Sequence, residues 1–135
     1  MSATTTSNRV QAPAILVRAD DLERLERLIA ASGRRRDGDL LLALQGEIER
    51  AQVLEPEEMP ADVVTMHSLV RFVDEDNGEE QTVTLVYPFE ADAALGRVSV
   101  LAPIGTALLG LRVGQRIDWQ VPSGGSRRLR VVQVG

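Results

Sequence analysis

Apolar residues recur at helical spacing between residues 20 and 54. They form two stripes, which are Leu22, Leu25, Leu28 and Ile29 in the first and Leu41, Leu44, Ile48 and Ala51 in the second. Spacings of three and four place such residues on one face of a helix. Two glycines and a charged cluster interrupt the pattern within residues 31–39, and Pro56 is expected to end the second helix. The pattern predicts an antiparallel two-helix coiled-coil hairpin over residues 20–55.

The pattern changes to that of β-strands from residue 61 onward. Apolar or alternating segments lie at residues 69–73, 82–87, 97–100, 117–121 and 129–134. The Asn77-Gly78 pair between the first two of these is typical of a β-hairpin turn. The segment from Pro103 to Leu111 predicts a short helix. We therefore expect an antiparallel sheet with one helix over residues 61–135, and an α+β fold for the whole chain.

The chain has 135 residues, of which 44% are hydrophobic and only 3% aromatic, so its core must consist of Leu, Val, Ala and Ile. Residues 1–19 begin with a stretch rich in Thr and Ser that no apolar segment of a signal peptide follows, and we expect them to form a disordered tail. No apolar run approaches the roughly 20 residues that span a bilayer. We therefore expect no association with a membrane.

Charge and cysteine content narrow the functional classes. The formal net charge of -5 argues against non-specific binding to nucleic acid, and no sequence-specific binding to DNA is expected. The chain contains no cysteine, which excludes disulfides, thiolate nucleophiles and zinc–thiolate sites. This composition is compatible with a reducing compartment, and we expect a cytoplasmic protein.

Nothing in the sequence predicts catalysis, a metal or a cofactor. His67 is the only histidine, and no nucleophile motif accompanies it, so it is interpreted as a loop or strand-edge residue. The acidic runs at residues 55–58 and 74–80 lack the convergent spacing of metal ligands and are interpreted as solvated turns. The expectation is a protein that is not an enzyme.

The segment between the two predicted helices is a candidate contact site. Arg34, Arg35 and Arg36 could contact phosphates or an acidic partner, although a short basic cluster is usually only solvated. Asp37 or Asp39 is suited to cap the second helix.

Several motifs resemble those of a known family. In chain order they are Pro56-Glu57-Glu58-Met59-Pro60, Asp62-Val63-Val64-Thr65-Met66, Thr84-Leu85-Val86-Tyr87-Pro88, Glu90-Ala91-Asp92, Val98 to Gly105, Ala107 to Gly114, and Pro122 to Gly125. The stretch from Val63 to Val134 resembles the C-terminal domain of the Gre transcript-cleavage factors. Within that group the resemblance is closest to the Rnk proteins, the regulators of nucleoside diphosphate kinase.

The resemblance implies both a fold and a partner. It implies an FKBP-like C-terminal domain, an N-terminal antiparallel coiled coil, and docking at the secondary channel of bacterial RNA polymerase. The residues that match the family's rim-contacting segment are Leu101, Ala102, Pro103, Ile104 and Gly105, whose apolar character suits a protein contact. In Gre factors, acidic residues at the coiled-coil tip hold the second catalytic Mg²⁺ ion for transcript cleavage.

The predicted tip differs from the Gre pattern. Arg34, Arg35 and Arg36 come first, and only Asp37 and Asp39 are acidic. The second predicted helix, residues 39–54, is about 24 Å long, which is shorter than a Gre hairpin. We therefore expect a regulator that competes with Gre factors for the polymerase without stimulating cleavage.

The sequence is compatible with other interpretations. A cleavage factor would need Asp37 and Asp39 to lend carboxylates to the polymerase-bound metal. A prolyl isomerase is suggested by the fold alone, which does not carry function, and the chain offers few aromatics for such a pocket. The oligomeric state, monomeric or self-associated, is also left open.

Overall fold

The computed structural model describes residues 15–32, 38–120 and 125–135. The helices are α1 (Ala19–Ser32), α2 (Gly38–Glu49) and α3 (Pro103–Leu108). The strands are β1 (Leu16–Arg18), β2 (Gln52–Leu54), β3 (Leu69–Asp74), β4 (Glu80–Val86), β5 (Arg97–Ser99), β6 (Arg116–Gln120) and β7 (Ser126–Val134). The predicted α+β class, with a helical N-terminal part and a β-sheet domain, is confirmed.

The main sheet has five strands in the order β5-β4-β3-β7-β6. Its three pairs β3–β4, β3–β7 and β6–β7 are antiparallel, and the β3–β4 turn contains Gly78 at φ 78° as the Asn-Gly signal predicts. The expectation of a wholly antiparallel sheet is wrong for β5, which pairs with β4 in parallel. The chain between them makes two short 3₁₀ turns, Pro88–Glu90 and Ala93–Leu95, and re-enters the sheet in its original direction.

The two helices bury the apolar stripes that the sequence predicts. Leu25 and Leu44 are fully buried, and Leu41 and Ile48 are nearly so. The remaining stripe residues are partly buried against the same cluster, namely Leu22, Leu28, Ile29 and Ala51. Because side chains of β3, β4 and β7 belong to that cluster as well, the helices and the sheet share one hydrophobic core.

Two expectations about the N-terminal part are wrong. The second helix ends at Glu49 rather than near Leu54, because Gln52–Leu54 forms β2 and pairs in parallel with β1. The last residues of the expected disordered tail are ordered by the same pairing, and Ile15 and Val17 lie in the core. A pairing between segments so far apart in sequence leaves no local signal. Residues 1–14 lie outside the described part of the chain.

A glycine joins the small β1–β2 sheet to the rest of the molecule. The Leu16 amide donates to the Gly110 carbonyl at 3.2 Å, and the Gly110 amide donates to the Val64 carbonyl at 2.9 Å. Gly110 has φ 82°, and a Cβ on it would lie 2.6 Å from the Cβ of Ile15. Only glycine allows Ile15 to approach so closely in this backbone conformation.

A buried carboxylate forms a second link between the helices and the sheet domain. Asp21, on the first turn of α1, is only 5% exposed, and its Oδ2 accepts a hydrogen bond from the Met66 amide at 3.2 Å. Burial raises the pKa of Asp21, as does the neighbouring Asp20 carboxylate, although the bond from Met66 opposes this shift. The ionised form is therefore costly in the folded protein.

The stabilities of the variants Asp21→Asn and Asp21→Ala should distinguish the effect of the charge of Asp21 from the effect of its hydrogen bond. Because the pKa of Asp21 is raised on folding, its ionisation lowers stability as the pH rises from its ordinary value of 3.8 through the folded value. Asp21→Asn keeps an acceptor for Met66 and cannot ionise, so its stability relative to the wild type should increase from pH 3 to pH 7. Asp21→Ala leaves the Met66 amide unpaired and should be about 1–3 kcal/mol less stable than Asp21→Asn in urea denaturation. Equal stability of the two variants would contradict this role.

Candidate docking surface

Residues Leu101–Gly105, named here the 101–105 segment, connect β5 to α3 and form the first turn of that helix. Pro103 occupies the beginning of α3, where its missing amide hydrogen costs no hydrogen bond. The Ser99 Oγ accepts a hydrogen bond from the Leu101 amide at 3.0 Å, and the Ser99 carbonyl accepts one from the Ala102 amide at 3.0 Å. The segment is thus tied to the end of β5 by two bonds to a single residue.

Two further contacts hold α3 against β5. The Thr106 hydroxyl, which is buried, donates to the Val100 carbonyl at 2.7 Å. Gly105 packs so closely that a Cβ on it would lie 2.1 Å from the Ser99 carbonyl oxygen. This approach is closer than any side chain permits, so glycine is required by contact rather than by backbone conformation.

The apolar residues of the segment are less exposed than the sequence suggests. Leu101 is only 7% exposed and belongs to the hydrophobic core, while Ala102 and Ile104 are half-buried. Only Pro103 is exposed. The 101–105 segment therefore presents a small surface of three residues, Ala102 to Ile104, on a turn whose other two residues anchor it to the core.

Ile104 also lines a groove of about 290 Å³ on the sheet domain. Phe72 and Leu129 contribute its apolar part, and Asp74 and Arg127 form an ion pair of 2.7 Å in its lining. Burial acts to raise the pKa of Asp74, but hydrogen bonds from Arg127 and from the Asp76 amide outweigh it and hold the pKa below its usual range. The carboxylate therefore stays ionised and paired at neutral pH.

The acidic turn that follows β3 is bound to arginines of neighbouring strands. Glu75 Oε2 accepts from Arg130 at 2.9 Å, and the Arg116 guanidinium lies 3.2 Å from the same carboxylate. The hydrogen bond from Arg130 and the charge of Arg116 lower the pKa of Glu75 despite some desolvation. The beginning of this run is thus a structural ion-pair network and not the solvated turn that the sequence suggests. Within the described ranges, no group of three or more His, Asp or Glu residues is arranged to hold a metal ion.

Several residues of this surface were not identified from the sequence. Ser99 carries no signal except its place in the run from Val98 to Gly105, and Thr106 follows that run directly. The pairing of Arg127 with Asp74 depends on the β3–β7 register, which sequence spacing does not determine. Register is a property of the sheet as a whole.

The other candidate residues are placed as follows. Four residues of the predicted tip lie outside the described residues, namely Arg34, Arg35, Arg36 and Asp37. Asp39 lies within α2, and only its backbone is described. His67 is a loop residue, as expected, and its Nε2 lies 2.8 Å from Glu90 Oε1. Among the described residues, no helix has the length and apolar character needed to cross a bilayer.

Comparisons with known proteins divide the chain into two matching parts. Residues 59–135 match the family described as transcription elongation factor GreA/GreB, C-terminal, and residues 13–54 match the family described as the Rnk N-terminus. The boundary falls immediately after β2, so the first part contains β1, both long helices and β2.

Individual relatives agree with both matches. The regulator of nucleoside diphosphate kinase of Escherichia coli K12 is 42% identical over 125 residues, which cover 90% of this chain and 89% of that protein. The transcription elongation factor GreA of Rhizobium etli is 40% identical over 85 residues, 63% of this chain and 53% of that protein. The structure of a prokaryotic transcription elongation factor GreA/GreB from Nitrosomonas europaea has a TM-score of 0.72 and 44% identity, covering 90% of this chain and 98% of that one.

The close packing of Gly105 gives a prediction with an internal control. Gly105→Ala forces a methyl group against the Ser99 carbonyl and should lower the free energy of unfolding by about 1–3 kcal/mol. Gly46→Ala, in the interior of α2 with nothing within 4 Å, should raise it by about 0.5–1 kcal/mol, because alanine favours the helix. Urea denaturation followed by circular dichroism measures both. A Gly105→Ala variant as stable as the wild type would contradict the packing described here.

Proposed function

Because this chain belongs to the Gre factor family and within it is a relative of the Rnk proteins, we propose that it binds RNA polymerase at the secondary channel and regulates transcription there. It competes with Gre factors for that position and does not stimulate transcript cleavage. The observation that carries this proposal is the combination of a GreA/GreB C-terminal match with an Rnk N-terminal match in one chain. The protein acts in the cytoplasm, where the polymerase is.

The 101–105 segment is the proposed contact with the channel rim. Its match to the family's rim-contacting residues and its rigid attachment to β5 both support this role. A turn that is already ordered loses little conformational entropy on binding. Pro103 is its most exposed member and Ile104 the flanking apolar side chain, so these two residues are the proposed centre of the contact.

The lengths of the two helices support the proposed absence of cleavage activity. With 14 and 12 residues, α1 and α2 are about 21 Å and about 18 Å long. The second helix is thus shorter than the length of about 24 Å that the sequence predicts. A helical pair of this length, anchored at the channel rim, leaves its tip short of the catalytic Mg²⁺ ion. The charge of the segment between the helices also argues against cleavage activity. Arg34, Arg35 and Arg36 would repel a metal ion that cleavage factors hold with carboxylates.

The proposal also assigns a fold type to each of the two parts of the chain. Residues 61–135 would form an FKBP-like domain that serves as a docking module without isomerase activity, and the helices within residues 20–55 would be a shortened counterpart of the Gre coiled coil.

Pro103→Glu tests the docking site. Glutamate is tolerated in the first turn of a helix, so the fold should be retained, whereas a charge in an apolar contact should weaken binding to core RNA polymerase about tenfold or more. Leu69→Glu, at an exposed position of β3, is the matched control and should bind like the wild type. The measurement is competition against a labelled Gre factor on core polymerase. Wild-type affinity in folded Pro103→Glu would reject the 101–105 segment as the contact.

A cleavage assay on backtracked transcription complexes separates the regulator from the cleavage factor. At saturating concentration the wild-type protein should displace a Gre factor, and the amount of shortened transcript should fall to that formed without any factor. Asp37→Ala combined with Asp39→Ala should compete equally well. Shortened transcripts that appear with the wild type alone and disappear with the double variant would establish the cleavage-factor alternative.

A further inference from the structure

A second groove, the Phe89 groove, lies between α1 and the turn that follows β4. Arg24, Arg27 and Leu28 of α1 line one side, and Tyr87 and Phe89 line the other, around a volume of about 300 Å³. None of these residues belongs to the 101–105 segment. Leu28, Tyr87 and Phe89 give the groove an apolar surface, and the two arginines provide its charge.

The aromatic side of the groove is rigidly built. Glu90 Oε1 accepts the Tyr87 amide at 3.2 Å and lies 2.8 Å from His67 Nε2, so one carboxylate oxygen fixes the turn from both sides. The hydrogen bond to His67 is the main reason that the pKa of Glu90 lies below its usual range. His67 itself has φ 71°, an uncommon conformation for a histidine. The turn is therefore held in shape before any partner binds.

Phe89 is presented to solvent on this turn. Its side chain is 84% exposed, whereas Tyr87 is only 6% exposed. The two rings are stacked with centroids 6.0 Å apart, and His67 meets Tyr87 edge-on at 5.6 Å. A phenylalanine so exposed beside an apolar groove has a large area to bury, and exposed aromatics at such positions are typical anchors of protein interfaces.

The charge of the groove is positive although the protein carries a net charge of -5. Among the described residues, Arg27 forms an ion pair only with Glu23 at 3.8 Å, and this contact between two largely exposed groups contributes little. The nearby carboxylates of Asp21 and Glu90 are engaged by the Met66 amide and by His67, respectively. The charge of Arg24 acts on Asp21 and on Tyr87, and that of Arg27 is paired only weakly. Both guanidinium groups can therefore contact an acidic ligand.

The Tyr87 hydroxyl is a polar group of the groove whose hydrogen bonding is incomplete. It is buried and has no hydrogen-bond partner among the residues that the structure describes. Burial and the Asp21 carboxylate raise the pKa of Tyr87, while the Arg24 guanidinium acts in the opposite direction. A buried hydroxyl without an acceptor is uncommon in native proteins, and this one lies on the side of the groove that Arg24 approaches.

We propose that the Phe89 groove binds an acidic segment of a partner protein that carries one large apolar side chain. The apolar side chain would pack on Phe89 and Leu28, and flanking carboxylates would pair with Arg24 and Arg27. An aromatic ring beside arginines also suits single-stranded nucleic acid. Two arginines do not form a continuous basic track, however, and the net negative charge of the protein repels a polyanion.

Defined peptides test this proposal without the polymerase, so the result does not depend on the docking site proposed above. The probes are short fluorescent peptides with blocked ends and a central Leu, Phe or Trp flanked by glutamates, together with the same peptides flanked by lysines. Fluorescence anisotropy at low ionic strength measures binding to the full chain. At least one glutamate peptide should bind, the lysine peptides should not, and added salt should weaken the complex.

Variants locate the binding site. Phe89→Ala should weaken binding about tenfold or more, which corresponds to loss of an interface anchor. Arg24→Gln combined with Arg27→Gln should weaken it similarly and remove most of its salt dependence. Leu95→Ala, an exposed apolar residue on the neighbouring 3₁₀ turn, and Arg128→Gln, at the opposite end of the sheet, are matched controls and should bind like the wild type. Circular dichroism verifies that each variant is folded.

Three outcomes would overturn the proposal. The first is the failure of every glutamate peptide to bind at millimolar protein. The second is binding that survives unchanged in folded Phe89→Ala or in the double arginine variant. The third is binding of an oligo-dT probe that the glutamate peptides fail to displace, which would identify single-stranded nucleic acid as the occupant.

Discussion

The contact of Ile15 with Gly110 holds the two parts of this molecule together. It brings β1 against the sheet domain, where Leu16 bonds to the Gly110 carbonyl, and the Gln52 amide bonds to the Ile15 carbonyl at 3.0 Å. The helices between β1 and β2 are thereby fixed at both ends. Two short helices alone could not bury their apolar stripes, whereas against the sheet domain Leu25 and Leu44 are fully buried.

This attachment has a consequence for function. In the proposed complex with RNA polymerase, the 101–105 segment fixes the sheet domain at the channel rim, and the shared core then fixes the direction of the helices. In this proposal, a helical pair of about 20 Å held in this way would occupy the channel mouth. Regulation by occupancy needs no catalytic group, and it agrees with the relation to both Gre factors and the Rnk proteins. The Phe89 groove lies where α1 meets the sheet domain, so it too depends on the shared core.

The sequence predicted the local features of the fold and missed the non-local ones. The helical stripes, the Asn77-Gly78 turn and the α+β class followed from periodicity and turn chemistry, which act over a few residues. The pairing of β1 with β2 and the parallel entry of β5 depend on contacts between distant segments. The burial of Leu101 has the same origin, because only the assembled core shows that this apolar residue faces inward.

The sequence likewise predicted one part of the candidate binding surfaces and missed the other. The 101–105 segment was identified from its resemblance to the Gre factors, and Gly105 proved to be required by its contact with Ser99. The Phe89 groove was not foreseen, because it combines a turn after β4 with one face of α1. An exposed aromatic has no distinguishing pattern in a sequence, and its stacking on Tyr87 and its position beside two arginines are seen only in the folded chain.

Native-state hydrogen exchange tests most directly whether the helices and the sheet domain form one cooperative unit. The Leu16 amide bonds to Gly110 of the sheet domain, and the Gln52 amide bonds to Ile15 within the N-terminal part. The Phe72 amide lies in the central strand β3. If the core is shared, all three should exchange only through global unfolding, with the same free energy of opening and the same denaturant dependence. Exchange of Leu16 and Gln52 at a markedly lower free energy, while Phe72 stays protected, would show that the helices detach independently and would contradict this account.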